Sequence, residues 1–322
     1  MQRTDDGGVT WAPEKGEGEV PPLREITWLA VIDFADSRTG WIIGLAQARD
    51  EANGTAGDTL NVIWRTTDAG DTWEREIGEG RELRDLSVIS EREAWAIAQY
   101  RRTPQPNALL HTVDGGITWR KVSHPLSQWP DVELCGIHFA DEFHGWVMVT
   151  TWGRTANAAV LKTEDGGMTF EMVRTEAVSG GGGTCRLEFP TQNEGWAIVD
   201  GVSLLHTVDG GKAWELVTPN VGGVENEAYL MDLSFPTRLE GWVVGQGGVA
   251  LHTRDGGKTW QRVETGAEGI ESVWLTEVVF VDERHGWMAG QGGRAGAPGG
   301  PGPFDLIISP THLIGFILKY EP

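Results

Sequence analysis

One eight-residue pattern, Thr-x-Asp-x-Gly-x-x-Trp, recurs six times along the 322 residues, and no other feature restricts the possible folds as much. Its copies start at Thr4, Thr66, Thr112, Thr163, Thr207 and Thr253, and only the fourth replaces the final Trp, with Phe170. Successive starts lie 62, 46, 51, 44 and 46 residues apart. A second motif alternates with the first: an apolar strand ending in Phe, a polar turn, then Gly-Trp and another apolar strand. Its Trp residues are Trp41, Trp95, Trp146, Trp196, Trp242 and Trp287, and the Phe stands seven residues earlier, with Val88 in the second unit.

Each unit therefore reads as four short strands. In the fifth they are 230–235, 241–245, 249–253 and 259–263. Four strands per period of about 45 residues is the spacing of propeller blades, whose sheets bury both faces only by stacking on their neighbours. The expected fold is an all-β propeller of four-stranded antiparallel blades over residues 1–293. Six blades are visible. They form a ring closed from both termini, pairing the Trp11 hairpin with the Trp287 strands, or else a fragment of a seven-bladed ring. Residues 294–322 match no unit and are set apart as an off-pattern tail, disordered or foreign to the design.

The letters of the eight-residue pattern follow from turn chemistry. A carboxylate can accept backbone N–H bonds within its own turn, a Thr hydroxyl can do so more weakly, and Gly supplies positive φ. The carboxylates Asp6, Asp68, Asp114, Asp165, Asp209 and Asp255 are accordingly structural clips, which removes them from any catalytic or metal-binding set. No metal site and no cofactor is expected.

Composition excludes other classes. Against 47 Asp and Glu stand only 26 Lys and Arg, a net charge of −21, so the chain lacks the basic footprint that phosphate backbones require. No apolar run is long enough to span a membrane as a helix. The N-terminal residues show no export signal, so the compartment stays open, extracytoplasmic if such a segment has been lost. Cys135 and Cys185 share one slot in adjacent units. They could approach one another, but the favoured reading is two small buried thiols.

Subtracting the repeat leaves Trp28, Trp129, Trp152 and Trp274 without a repeat role, and Tyr229 takes the Trp28/Trp274 position in the fifth unit. With the second-to-third-strand loops they would crowd the face opposite the Thr-x-Asp turns. The same loops carry Arg101, Arg102 and Arg154. Aromatics at a rim can anchor a protein or a sugar, and clustered Arg can hold an acidic partner bidentately. The competing explanation is that these aromatics cap blade ends and these Arg are ordinary loop polarity. One further column, three residues before the Phe, holds Asp85, Arg186, Asp232 and Glu277, which strand alternation would aim into a central channel.

Residues 240–260, EGWVVGQGGVALHTRDGGKTW, carry a resemblance. They look like the photosystem II assembly and stability factors and their bacterial relatives, the BNR-repeat or sialidase-like propellers with this Asp box. The resemblance implies a non-enzymatic scaffold that binds a partner protein through one face, usually exported. The wider superfamily includes sialidases, which implies the alternative of a carbohydrate-binding or glycoside-hydrolysing propeller. No sialidase catalytic residue can be carried over to this chain, and no catalytic residue is assigned.

Overall fold

The computed structural model describes residues 2–3, 12–13, 26–36, 38–49, 56–68, 72, 74–78, 82–99, 108–125, 132–151, 157–179, 185–199, 201–219, 229–264, 273–280, 282, 286–292, 304–308 and 314–320. Five sheets are consecutive four-stranded meanders, and these are the blades. Blade 1 runs Ile26–Phe34, Gly40–Arg49, Ala56–Thr66 and Glu74–Gly78; blade 2 runs Glu82–Val88, Ala94–Gln99, Ala108–Thr112 and Arg120–Val122. Blade 3 runs Val132–Phe139, Gly145–Thr151, Asn157–Thr163 and Glu171–Ser179. Blade 4 runs Arg186–Glu188, Gly195–Val199, Ser203–Thr207 and Glu215–Val217; blade 5 runs Leu230–Ser234, Gly241–Gly245, Ala250–Thr253 and Gln261–Arg262.

The final sheet breaks the pattern. Trp274–Phe280 and Gly286–Gly292 pair as expected, but the partner of the latter is Ile314–Tyr320, with Phe304–Ile308 on the outside. Closure by the Trp11 hairpin is therefore corrected: Gln2–Arg3 pairs with Ala12–Pro13 in a two-stranded sheet of its own. The repeat builds five blades rather than six, because the last sheet takes its outer strands from beyond residue 293 and has no Asp box to turn them.

The chain divides into two compact units, Met1–Val149 with Leu161–Met172, and Thr150–Val160 with Val173–Pro322. In the first unit the core is Trp41, Ile43, Ile63, Leu83, Leu86 and the small residues Ala94, Ala96 and Ala98. In the second, Trp196, Ile198, Leu230, Phe235, Val243 and Leu251 form one cluster, and Trp242, Val244, Leu275 and Met288 form another.

The Gly-Trp motif has a packing cause. A Cβ on Gly40, Gly145, Gly195, Gly241 or Gly286 would lie 2.1–2.4 Å from the ring of the Phe that ends the preceding strand. The ring occupies the space a side chain would fill. Blade 2 has Val88 in place of Phe and Ala94 in place of Gly, so the smaller side chain admits the methyl group.

The Trp of the motif is then clasped. Trp95 stacks on His111 of its own blade at 4.1 Å and on Phe139 of the next at 4.3 Å. Trp196 lies between His206 and Phe235, and Trp242 between His252 and Phe280, in the same way. Where the slot holds a base instead, Arg65 sits 5.8 Å over Trp41 and Lys162 6.0 Å over Trp146. A cation or an imidazole suits the electron-rich face of the indole, which explains a slot filled only by His, Arg or Lys.

Neither cysteine is a thiol. Cys135 and Cys185 are both disulfide-bonded, which corrects the reading of two buried thiols.

Candidate functional site

The Asp boxes close on themselves. Asp114 Oδ1 accepts from the Thr112 hydroxyl at 2.8 Å and the Thr118 N–H at 2.9 Å, while Oδ2 accepts from the Thr118 hydroxyl at 2.6 Å. The Thr112 oxygen in turn accepts the Gly116 N–H at 3.0 Å. These bonds to the charged form hold the Asp114 carboxyl down at about 2. Asp165 and Asp255 repeat this arrangement, Asp68 makes the same three bonds, and Asp209 takes the Lys212 and Ala213 N–H groups instead. All five carboxyls lie below the usual range. Asp6 lies outside the described residues.

Asp85, Asp232 and Glu277 of the channel column are positioned by a feature the sequence conceals, whereas Arg186 stands in a regular register. The register of the first strand shifts between Leu29 and Val31, Leu83 and Asp85, Leu230 and Asp232, and Leu275 and Glu277. The same bulge at the same point in four sheets re-aims the side chain that follows it. Asp85 and Asp232 are buried as a result, and each reaches the backbone of the next sheet. Asp85 Oδ2 accepts the Ile137 N–H at 2.9 Å, and Asp232 Oδ2 accepts the Val278 N–H at 2.7 Å.

In the second unit three of the four column residues meet. Arg186 of blade 4 donates through Nε to Asp232 Oδ1 of blade 5 at 3.1 Å, and through Nη2 to Glu277 Oε1 of the last sheet at 3.3 Å. Burial pushes the Asp232 carboxyl up, while Arg186 and the Val278 N–H pull it down. One guanidinium thus ties together three successive sheets. Asp85 belongs to the other unit.

A second column, one residue before the Phe, also staples sheets, and the sequence reading passed over it. Asp33 accepts the Val88 N–H, Ser87 that of Phe139, Glu188 that of Phe235 and Ser234 that of Phe280, at 2.7–3.0 Å. A legible signal existed, since Asp, Ser, Glu and Ser are unusual for a core-strand slot. What it meant required knowing which backbone lies opposite.

Of the rim aromatics, Tyr229 and Trp274 are half-buried with ring centroids 6.2 Å apart. The Tyr229 ring lies on Gly201 of blade 4, where a Cβ would be 2.4 Å from Cζ. Beside it Gly201 accepts the Leu230 N–H, and Tyr229 accepts that of Gln246. The pair caps blade ends and still keeps part of its surface open. Arg101, Arg102, Arg154, Trp129 and Trp152 lie outside the described residues, as does the side chain of Trp28.

Among the described residues no cluster of three His, Cys, Asp or Glu is arranged to hold a metal ion. No helix among them is long and apolar enough to cross a membrane.

With this geometry in view, the relatives can be compared. The family described as photosynthesis system II assembly factor YCF48 matches residues 125–220 and 183–268. The chain is a BNR-type, Asp-box propeller resembling the photosystem II assembly factors. Among solved structures it is similar to YCF48 from Cyanidioschyzon merolae, at 20% identity over 94% of this chain and 98% of that one, with a TM-score of 0.54. It is also similar to the GH74 enzyme of Niastella koreensis, at 15% identity over 89% of this chain and 47% of that one, TM-score 0.58. The Trypanosoma rangeli sialidase gives 11% identity over 91% of this chain and 55% of that one, TM-score 0.55. At such identities these structures speak for the fold alone. No curated protein sequence matches the chain significantly.

Proposed function

We propose that this protein is a non-enzymatic protein-binding scaffold that assists the assembly or stability of a larger complex. The observation that carries the reading is the match of residues 125–268 to an assembly-factor family. The surface assigned to the partner is the face of the second-to-third-strand and between-blade loops. Arg101, Arg102 and Arg154 would hold carboxylates of the partner there, with Trp28, Trp129, Trp152, Tyr229 and Trp274 as aromatic anchors. The disulfide state of Cys135 and Cys185 supports an oxidising compartment.

The carbohydrate alternative draws less support. Asp232 and Glu277, the carboxylates it would need, are bound to one arginine, and Asp232 also accepts a backbone N–H. The test is affinity capture with the wild-type protein and with Arg101→Glu, Arg102→Glu and Arg154→Glu combined. A protein retained by the wild type and lost by the triple variant supports the proposal. Capture of nothing by the wild type, or equal capture by both, overturns it.

A further inference from the structure

The Asp-box end of the first unit carries an apolar surface of which the function proposed above makes no use. Val113 is 61% exposed, Phe143 53% and Met168 81%; Ile117, across the blade-2 Asp box from Val113, is 65% exposed. Four large apolar side chains held out in water within two successive blades exceed the scattered single exposures common on soluble proteins.

Their proximity follows from the repeat. Within blade 3 the Phe143 carbonyl accepts the Gly166 N–H at 3.0 Å, which sets Phe143 beside the turn that carries Met168. That turn sits on blade 2, since a Cβ on Gly167 would lie 2.2 Å from the Trp95 ring, and Trp95 stacks on His111, two residues before Val113. Between blades 4 and 5 the repeat equivalents Val208, Leu239 and Lys258 line a single crevice of about 620 Å³. Val113, Phe143 and Met168 are the same three positions between blades 2 and 3, in the first unit.

The occupant is indicated by what changes between the two grooves. Blades 4 and 5 place two basic side chains there, Arg238 and Lys258. At those positions blades 2 and 3 have Glu142 and Met168, while Arg120 stands where blade 4 has Glu215. Segments 91–93, 113–120, 141–144 and 162–169 hold seven carboxylates against three basic residues. Lys162 pairs with Glu164, Glu93 with His111 and Asp141 with His144, and Asp114 and Asp165 hold their own turns, so Glu91 and Glu142 carry most of the excess charge. The groove is thus apolar at its centre and acidic at its border. We propose that it docks a cationic amphipathic segment of a partner protein, whose apolar side chains cover Val113, Phe143 and Met168 while its Lys or Arg residues meet the surrounding carboxylates. This surface and its ligand charge are opposite in kind to the arginine loops, so it stands or falls independently of them.

The probe is a short fluorescent helical peptide of Leu and Lys, amphipathic by design, with an all-Lys peptide of equal charge as control, read by anisotropy at physiological salt. The wild type should bind the amphipathic peptide at least about tenfold more tightly than the control, and Met168→Glu with Val113→Glu should lose at least about tenfold of that affinity. In the wild type, the bound peptide should protect Met168 from oxidation while leaving the buried Met148 unchanged, a readout that needs no variant. Equal affinity for both peptides, no effect of the substitutions, or no protection of Met168 would overturn the proposal. So would a dimer in sedimentation that the Met168→Glu variant dissolves, because a second copy would then be the occupant.

Discussion

The Gly-Trp motif can be tested by moving blade 4 toward the arrangement blade 2 already has. Gly195→Ala places a methyl 2.4 Å from Phe189 Cε1, where ordinary contacts begin near 3.4 Å. An overlap of about 1 Å against a ring that is itself buried forces the ring or the strand to move, and overpacking of this kind costs about 1–3 kcal/mol. Phe189→Val alone removes most of a ring that is 2% exposed, at a cost of about 2–3 kcal/mol given the usual range for truncating buried aromatics. Together the substitutions recreate the Val88–Ala94 pair. The methyl then occupies space the ring has vacated, so the double variant should cost about 2 kcal/mol less than the sum of the single ones. Gly247→Ala serves as the control. Its φ is +71° and nothing lies within 4 Å of the added methyl, so only the left-handed backbone penalty of about 1 kcal/mol applies, and no substitution at Phe189 should alter it. Urea unfolding followed by tryptophan fluorescence supplies all four free energies. Additivity of Gly195→Ala and Phe189→Val to within about 0.5 kcal/mol would refute the packing explanation of the motif.

Further outcomes follow from the buried polar groups. Arg186→Met strands Asp232 and Glu277 and should cost about 3–5 kcal/mol in urea unfolding, whereas adding Asp232→Asn and Glu277→Gln should recover most of that loss. Burial, aided by Lys121, draws His124 down to about 4, and burial also lowers His252 against the pull of Glu240. Both are favoured neutral in the folded chain, so their contribution is whole above pH 6.5 and is lost as the pH falls below it, towards 4 in the case of His124. For His124 the loss is roughly 2 kcal/mol once its partial exposure is allowed for, and a pH series of thermal melts should flatten with His124→Gln. Titration with a thiol reagent in denaturant should find no reactive cysteine until a reductant is added, and Cys135 and Cys185 afterwards; a free thiol before reduction would contradict the disulfide state.

Much of the fold was legible because the repeat speaks through local chemistry. The Asp box needs only the atoms of its own turn, and each of the five described copies accepts hydrogen bonds within that turn. The His, Arg or Lys slot was recognisable as a cation-tolerant position, although its target, the indole face, was not. The Phe–Gly compensation in blade 2 was present in the sequence as Val88 with Ala94 and could have been found there, since it is a local pair within one hairpin.

The closing sheet and the candidate site followed less closely. Counting Asp boxes led to six repeat-built blades, yet the strand after Gly286 pairs with Ile314–Tyr320, a segment with no repeat signature. Which strand completes an edge is decided by competition among distant segments for the same backbone bonds. Strand alternation likewise aimed Asp85 and Asp232 at a channel, and a bulge of one extra residue turned them into the seams between sheets.

The sequence by itself therefore determined the blade, its turns and the all-β class, because each rests on contacts within a few tens of residues of chain. Only the tertiary structure decided that Arg186 ties together Asp232 and Glu277, that Asp33, Ser87, Glu188 and Ser234 staple neighbouring sheets, and that Val113, Phe143 and Met168 stand exposed at the Asp-box ends of blades 2 and 3. The bonds among them join residues 46 to 91 positions apart, across sheets whose register is set in part by bulges, and no local pattern records that.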